Sequence, residues 1–62
     1  MKINKLKDLR TSKKITQYDM SQMLGIKERT YQNKENGKTS FTIEEFEKIY
    51  KYLDINPLEL LD

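Results

Sequence analysis

Gly25 and Gly37, the only two glycines in the chain, punctuate the stretch that most limits what it can fold into. From Met20 to Gly37 the residues read as a short helix, a three-residue turn opened by Gly25, and a second helix stopped at Gly37. Gly25 stands where a helix must end in a left-handed residue, a conformation that only glycine adopts without penalty. Met20 and Leu24 give the first of these helices a buried stripe, and Ser21 keeps that side narrow. The second helix has little to bury. By the 3.6-residue period it carries Glu28, Arg29, Gln32 and Asn33 on one face. Forked hydrogen-bonding side chains just after a tight helical turn suit the reading of base edges in a DNA groove.

Sixty-two residues allow one domain, expected to span 1–62, near the lower size limit for a core without staples. With no cysteine and no histidine, a disulfide is excluded and a structural zinc site effectively so. A net charge of only +2 and periodic apolar residues favour a small helical domain over a disordered chain. The N-terminus lacks the apolar core of a signal peptide, and no run approaches the roughly 20 apolar residues that span a bilayer. A cytoplasmic protein without a membrane partner is therefore expected. No enzyme is expected either. The chain has no Gly-rich phosphate loop and no paired-carboxylate site, and its size offers no sizeable pocket, so neither a cofactor nor a small-molecule substrate is called for.

The small net charge conceals a strong asymmetry. Residues 1–40 hold ten basic and four acidic residues, a balance of +6, whereas residues 41–62 hold two basic and six acidic, a balance of −4. One face of such a domain fits a polyanion, and the opposite face turns away from it.

Ile3, Leu6 and Leu9 set one apolar stripe on a first helix of about residues 3–13. Lys2, Lys5, Lys7, Lys13 and Lys14 take its solvated sides. Arg10 lies on the apolar face, where it needs a buried acid partner or a route past the core to solvent. Thr16 with Asp19 is close to a capping box for the second helix, and Ile15 staples to Met20. Lys27 occupies the N-cap of the third helix but has no acceptor for the first-turn amides. Ile26 and Tyr31 keep the staple spacing there, and Glu28 complements the helix dipole. Glu35 falls on the inward side one turn after Tyr31, which makes it the natural partner of Arg10. Thr42 with Glu45 is a clear capping box, stapled by Phe41 and Phe46. Ile43, Phe46, Ile49, Tyr50 and Leu53 then give a fourth helix its stripe, with Glu44, Glu45, Glu47 and Lys48 on a merely solvated face. Asn56 as cap, Pro57 at the first position and Glu59 completing a box predict a fifth helix, stapled by Ile55 and Leu60.

The chain resembles the Cro and lambda-repressor-like (XRE-type) helix-turn-helix family over roughly residues 3–61. The resemblance is carried by Leu9-Arg10, Thr16-Gln17, Ser21, Leu24-Gly25-Ile26, Thr30 and Glu35-Asn36-Gly37-Lys38. It implies an all-α, compact five-helix domain whose helix-turn-helix occupies about residues 16–36. It also implies that Arg10 and Glu35 pair, that Gln17 hydrogen-bonds a DNA phosphate, and that the third helix lies in the major groove. Lys27 stands where the family usually has a Ser or Thr cap, and Lys34 where it often has an apolar or aromatic residue.

Arg29 is suited to guanine, Gln32 or Asn33 to adenine, and Glu28 to cytosine. Gln17, Lys27, Lys34, Asn36 and Lys38 are expected on the phosphate-contacting rim, with the Lys34 stem along the core edge and its ammonium turned to the nucleic-acid backbone. So small a domain reads few base pairs, so a homodimer on a palindromic double-stranded operator is expected, as in the family. The apolar excess of Ile55, Leu58 and Leu61 marks the C-terminal end as the dimer contact. The resulting expectation is a sequence-specific transcriptional regulator, a phage- or bacterial-type repressor. The alternative is an antitoxin or adaptor that keeps the fold with little DNA binding.

Overall fold

The computed structural model describes residues 2–61; of the expected 1–62 domain, Met1 and Asp62 lie outside the described residues. Helix α1 runs Ile3–Ser12, α2 Gln17–Leu24, α3 Glu28–Glu35 and α4 Ile43–Leu53, and a 3-10 turn, Pro57–Glu59, follows. The domain is all-α. Among the described residues, however, there are four α-helices and not five, because the fifth expected helix is this single 3-10 turn. Asn56 Oδ1 accepts from the Leu58 amide at 3.0 Å, and the Glu59 and Leu60 amides bond back three residues to Asn56 and Pro57. Leu60 then drops fully into the core, and its carbonyl accepts from the Lys2 amide at 2.7 Å. Burying Leu60 turns the chain inward before a second helical turn winds.

Both capping boxes form. Thr16 Oγ1 accepts from the Asp19 amide at 3.0 Å while the Asp19 carboxylate accepts from the Thr16 amide at 3.2 Å. Thr42 and Glu45 repeat the exchange at 3.1 and 2.9 Å. Each box satisfies two backbone donors that the first turn of a helix would otherwise leave unpaired.

Leu6, Met20, Leu24, Tyr31, Ile49, Leu53 and Leu60 make the buried core, with Leu9, Ile15, Met23, Ile26, Phe41, Phe46 and Ile55 packed against it. α2 lies at the centre, touching α3 and α4, while α1 packs on α3. Ser21 is fully buried on α2, and its hydroxyl donates to the Tyr18 carbonyl at 2.7 Å, so the small side chain admits close packing without an orphaned polar atom. The α4 stripe is shorter than expected: Ile43 is 79% exposed. Phe41, which precedes the cap, takes the inward place at this end and meets the Tyr31 ring at 5.9 Å between centroids.

All four helices end the same way. A left-handed residue donates to the carbonyl three residues back, and the next residue donates to the carbonyl five back. These pairs are Lys14→Thr11 with Ile15→Arg10, Gly25→Gln22 with Ile26→Ser21, Gly37→Lys34 with Lys38→Asn33, and Asp54→Lys51 with Ile55→Tyr50. This is the Schellman arrangement, which satisfies the last helical carbonyls. Its left-handed residues are Gly25 and Gly37 at φ 71° and 83°, but also Lys14 and Asp54 at φ 59° and 54°. A side chain in that conformation is penalised, and glycine returns part of the gain through its freer unfolded chain. Lys14→Gly is therefore expected to stabilise the domain by about 0.5–1 kcal/mol, raising its thermal midpoint by about 2–8 °C. A thermal melt with an unchanged or lower midpoint would contradict this account of the turn.

Candidate nucleic-acid interface

The turn between α2 and α3 is set by Gly25, at which an added Cβ would meet nothing within 4 Å. Its requirement is therefore conformational and not steric. Lys27 follows in extended conformation (φ −71°, ψ 148°) as the N-cap of α3, and its side chain makes no capping bond. Packing starts the helix instead, through fully buried Tyr31 and partly buried Ile26. The exposed Lys27 ammonium is left free for another use.

Glu28 and Arg29 are exposed on α3, and Gln32 and Asn33 are half-buried beside them. Among the described residues, none of these four side chains hydrogen-bonds or ion-pairs with the rest of the domain, whereas the inward face of the same helix is densely bonded. Tyr31 and Glu35 are buried there. Arg10 Nε donates to Glu35 Oε2 at 3.0 Å and Arg10 Nη2 to Oε1 at 3.1 Å, a two-point pairing, while Arg10 Nη1 donates to the Ile15 carbonyl at 2.7 Å. Tyr31 Oη donates to Glu35 Oε2 at 2.5 Å, and Gln17 Nε2 donates to Oε1 at 3.2 Å. One carboxylate thus gathers α1, α2 and α3. Burial alone would raise the pKa of Glu35, but the bonds from Arg10, Tyr31 and Gln17 outweigh it and hold the carboxyl below its ordinary range. Burial, and then the adjacent carboxylate, push the Tyr31 hydroxyl upward, so it stays protonated and keeps donating.

Gln17 therefore differs from expectation. Its amide is drawn to the buried carboxylate, though Nε2 carries a second proton for an outside acceptor. Lys34 differs more. Its ammonium does not point outward to the rim: Nζ donates to Glu45 Oε1 at 2.8 Å and to the Ser40 carbonyl at 3.1 Å, and it lies 5.9 Å from the Phe41 ring centroid. Its stem does follow the core edge, with the side chain only 12% exposed. The internal acceptors and the aromatic face together hold the charge inside the protein. Glu45 is accordingly not a solvated residue. Burial would raise its pKa, but the bonds from Lys34 and the Thr42 amide lower it.

Lys27, Asn36 and Lys38 remain exposed at the two ends of α3. An open groove near the start of α3 is lined by Lys7, Lys14 and Gln17 opposite Glu28, which brings two lysines of the α1 region beside the same face. The apolar stripe alone puts both lysines on the solvated sides of the α1 region, where solubility comes first and phosphate attraction second. Near the C-terminus Leu58 is 69% and Leu61 45% exposed, while Ile55 packs partly against the core.

A helix-turn-helix family model matches residues 6–60. The chain belongs to that family. It is an XRE-type helix-turn-helix domain, of the kind that includes Cro and lambda repressor, and hence a regulator of transcription that binds double-stranded DNA. The family is a DNA-binding regulatory one and not an enzyme family. No curated protein and no solved structure matches the chain. Among the described residues of this helix-turn-helix protein, no helix is long and apolar enough to cross a membrane.

Proposed function

We propose that this domain is a repressor that binds a palindromic operator as a two-fold dimer, with α3 of each copy in the major groove. The observation that carries the reading is the division of α3 into a bonded inner face and an unpartnered polar one. Glu28, Arg29, Gln32 and Asn33 would read base edges, with Arg29 as the strongest donor, forked toward guanine O6 and N7. Lys27, Asn36 and Lys38, together with the free proton of the Gln17 amide, would hold the phosphates and set register without reading sequence. Lys34 has no place in that rim, because its ammonium is held inside. Exposed Leu58 and Leu61 supply the dimer contact, together with the part of Ile55 that the core leaves uncovered. A protein of this kind would act in the bacterial cytoplasm, where its operator lies.

Selection of duplexes from random sequence tests the reading: a palindromic consensus with half-sites about one helical turn apart is expected. On that duplex Arg29→Ala should weaken binding by about 1–3 kcal/mol and relax preference at one base pair per half-site. Unchanged affinity and unchanged preference would remove Arg29 from the reading face. No detectable shift of any duplex at low salt would favour an adaptor or antitoxin that keeps the fold.

A further inference from the structure

The Lys34 ammonium is not idle inside the domain. It joins three separate pieces of chain: the last turn of α3, the Ser40 carbonyl in the loop, and Glu45 in the first turn of α4. Glu45 Oε1 accepts from Lys34 and from the Thr42 amide together, so the same oxygen closes the α4 capping box and anchors the lysine. The loop between these anchors carries Asn36 and Lys38. Its start is held by the Lys38 and Thr39 amides, which both donate to the Asn33 carbonyl at 2.9 and 3.4 Å.

A nearly buried ion pair gives little net stability, and apolar side chains packed in its place often serve at least as well. Lys34 stands against the Phe41 ring, where an apolar side chain would pack readily. What an apolar residue lacks is direction. An ammonium with three donors fixes a carbonyl and a carboxylate at set positions.

We propose that Lys34 and Glu45 are a positioning pair for DNA binding: they hold the 36–41 loop so that Asn36 and Lys38 meet the phosphate backbone, while neither touches DNA. The inference rests on the groove-binding reading of α3. It makes a prediction opposite in sign to plain electrostatics. Removing the acid Glu45 near a polyanion should strengthen binding if charge alone matters. Freeing Lys34 for a phosphate should strengthen it further. Under the positioning role, binding weakens.

The test uses the full chain and a duplex that the wild-type protein selects. Lys34→Met, Glu45→Gln and the double variant are titrated with that duplex across salt concentration, and each is melted thermally. Glutamine still completes a capping box, so the α4 start survives the second variant. Each single variant is expected to bind about fivefold more weakly, the size of a hydrogen bond removed in Lys34→Met, or reduced from charged to neutral in Glu45→Gln. The double variant should be no weaker than the weaker single, since the two residues act through one contact. The salt slope should shrink by about 0.9 for each Lys38 that leaves its phosphate. Thermal midpoints of Glu45→Gln and of the double variant should stay close to wild type, whereas Lys34→Met, which leaves the Glu45 carboxylate without its cation, should melt lower. Glu45→Gln binding as tightly as wild type, or more tightly, overturns the proposal, as does an additive double variant. If the wild-type chain selects no duplex, the groove-binding reading fails and the positioning role falls with it; Arg29→Ala weakening alone would leave that reading standing.

Discussion

Glu35→Ala is expected to cost about 3–5 kcal/mol, because it leaves the buried Arg10 guanidinium without its acid. Arg10 is 6% exposed and Glu35 3%, so water does not replace the lost partner. Domains are stable by roughly 0.05–0.15 kcal/mol per residue, so for a chain of this length the loss rivals the whole. Urea unfolding should show the midpoint collapse. The Arg10→Leu/Glu35→Leu double variant should recover much of the loss, since it buries no lone charge. The wild type adds a pH signature. The Glu35 carboxyl sits below its ordinary range in the folded state. Its stabilising share is therefore fully present above the unfolded carboxyl value, about 4.3, and is lost as pH falls through the depressed folded value. Glu35→Ala should lack that acid-dependent share. A variant that unfolds at the wild-type urea midpoint would show that the three-helix junction is not held by this carboxylate.

The second large effect is on DNA. Lys27 and Lys38 are exposed, and as the charged members of the proposed rim they would give the proposed dimer four cations. Each phosphate neutralised contributes about 0.9 to the slope of log affinity against log salt, so raising salt from about 50 to about 200 mM should weaken operator binding on the order of 100-fold. Titration at several salt concentrations reads this directly. Lys38→Gln should flatten the slope by about 2 in a dimer, with base preference unchanged because phosphate contacts carry no sequence. A wild-type slope shallower than about 2 would mean that the rim lysines do not both meet phosphate.

What could be read from the residues alone divides along a physical line. Thr16 with Asp19 and Thr42 with Glu45 announce helix starts because a capping box is local, closed within four residues. Gly25 and Gly37 announce stops for the same reason. Arg10 and Glu35 were legible although 25 residues separate them, since each was a charge on an apolar face and each needed the other. The stripes place the ends of α1 and α4 just before Lys14 and Asp54, but the left-handed backbone of these two residues was not legible. Asp tolerates that conformation only as one option among several, and Lys gives no sign of it. The Lys34–Glu45 pair was hidden too, because Glu45 passed for a solvated capping residue and Lys34 for a phosphate contact. Ile43 fitted its stripe by spacing, yet the core ends one turn short of it. The polar face of α3 was fully visible, whereas the attachment of Gln17 to the buried carboxylate depends on how α2 meets α3.

The bond from the Lys2 amide to the Leu60 carbonyl brings the two ends of the described chain side by side. Topologically the domain is almost a ring, closed by a hydrogen bond where a peptide bond could stand. Anything joined to either end would leave the domain from one place, next to exposed Leu58 and Leu61. A fused segment there would crowd the very surface assigned to the second copy, whichever end carried it. Fusion partners are better inserted elsewhere on the ring, and the proposed assembly of two copies would be open to control by whatever occupies that single exit.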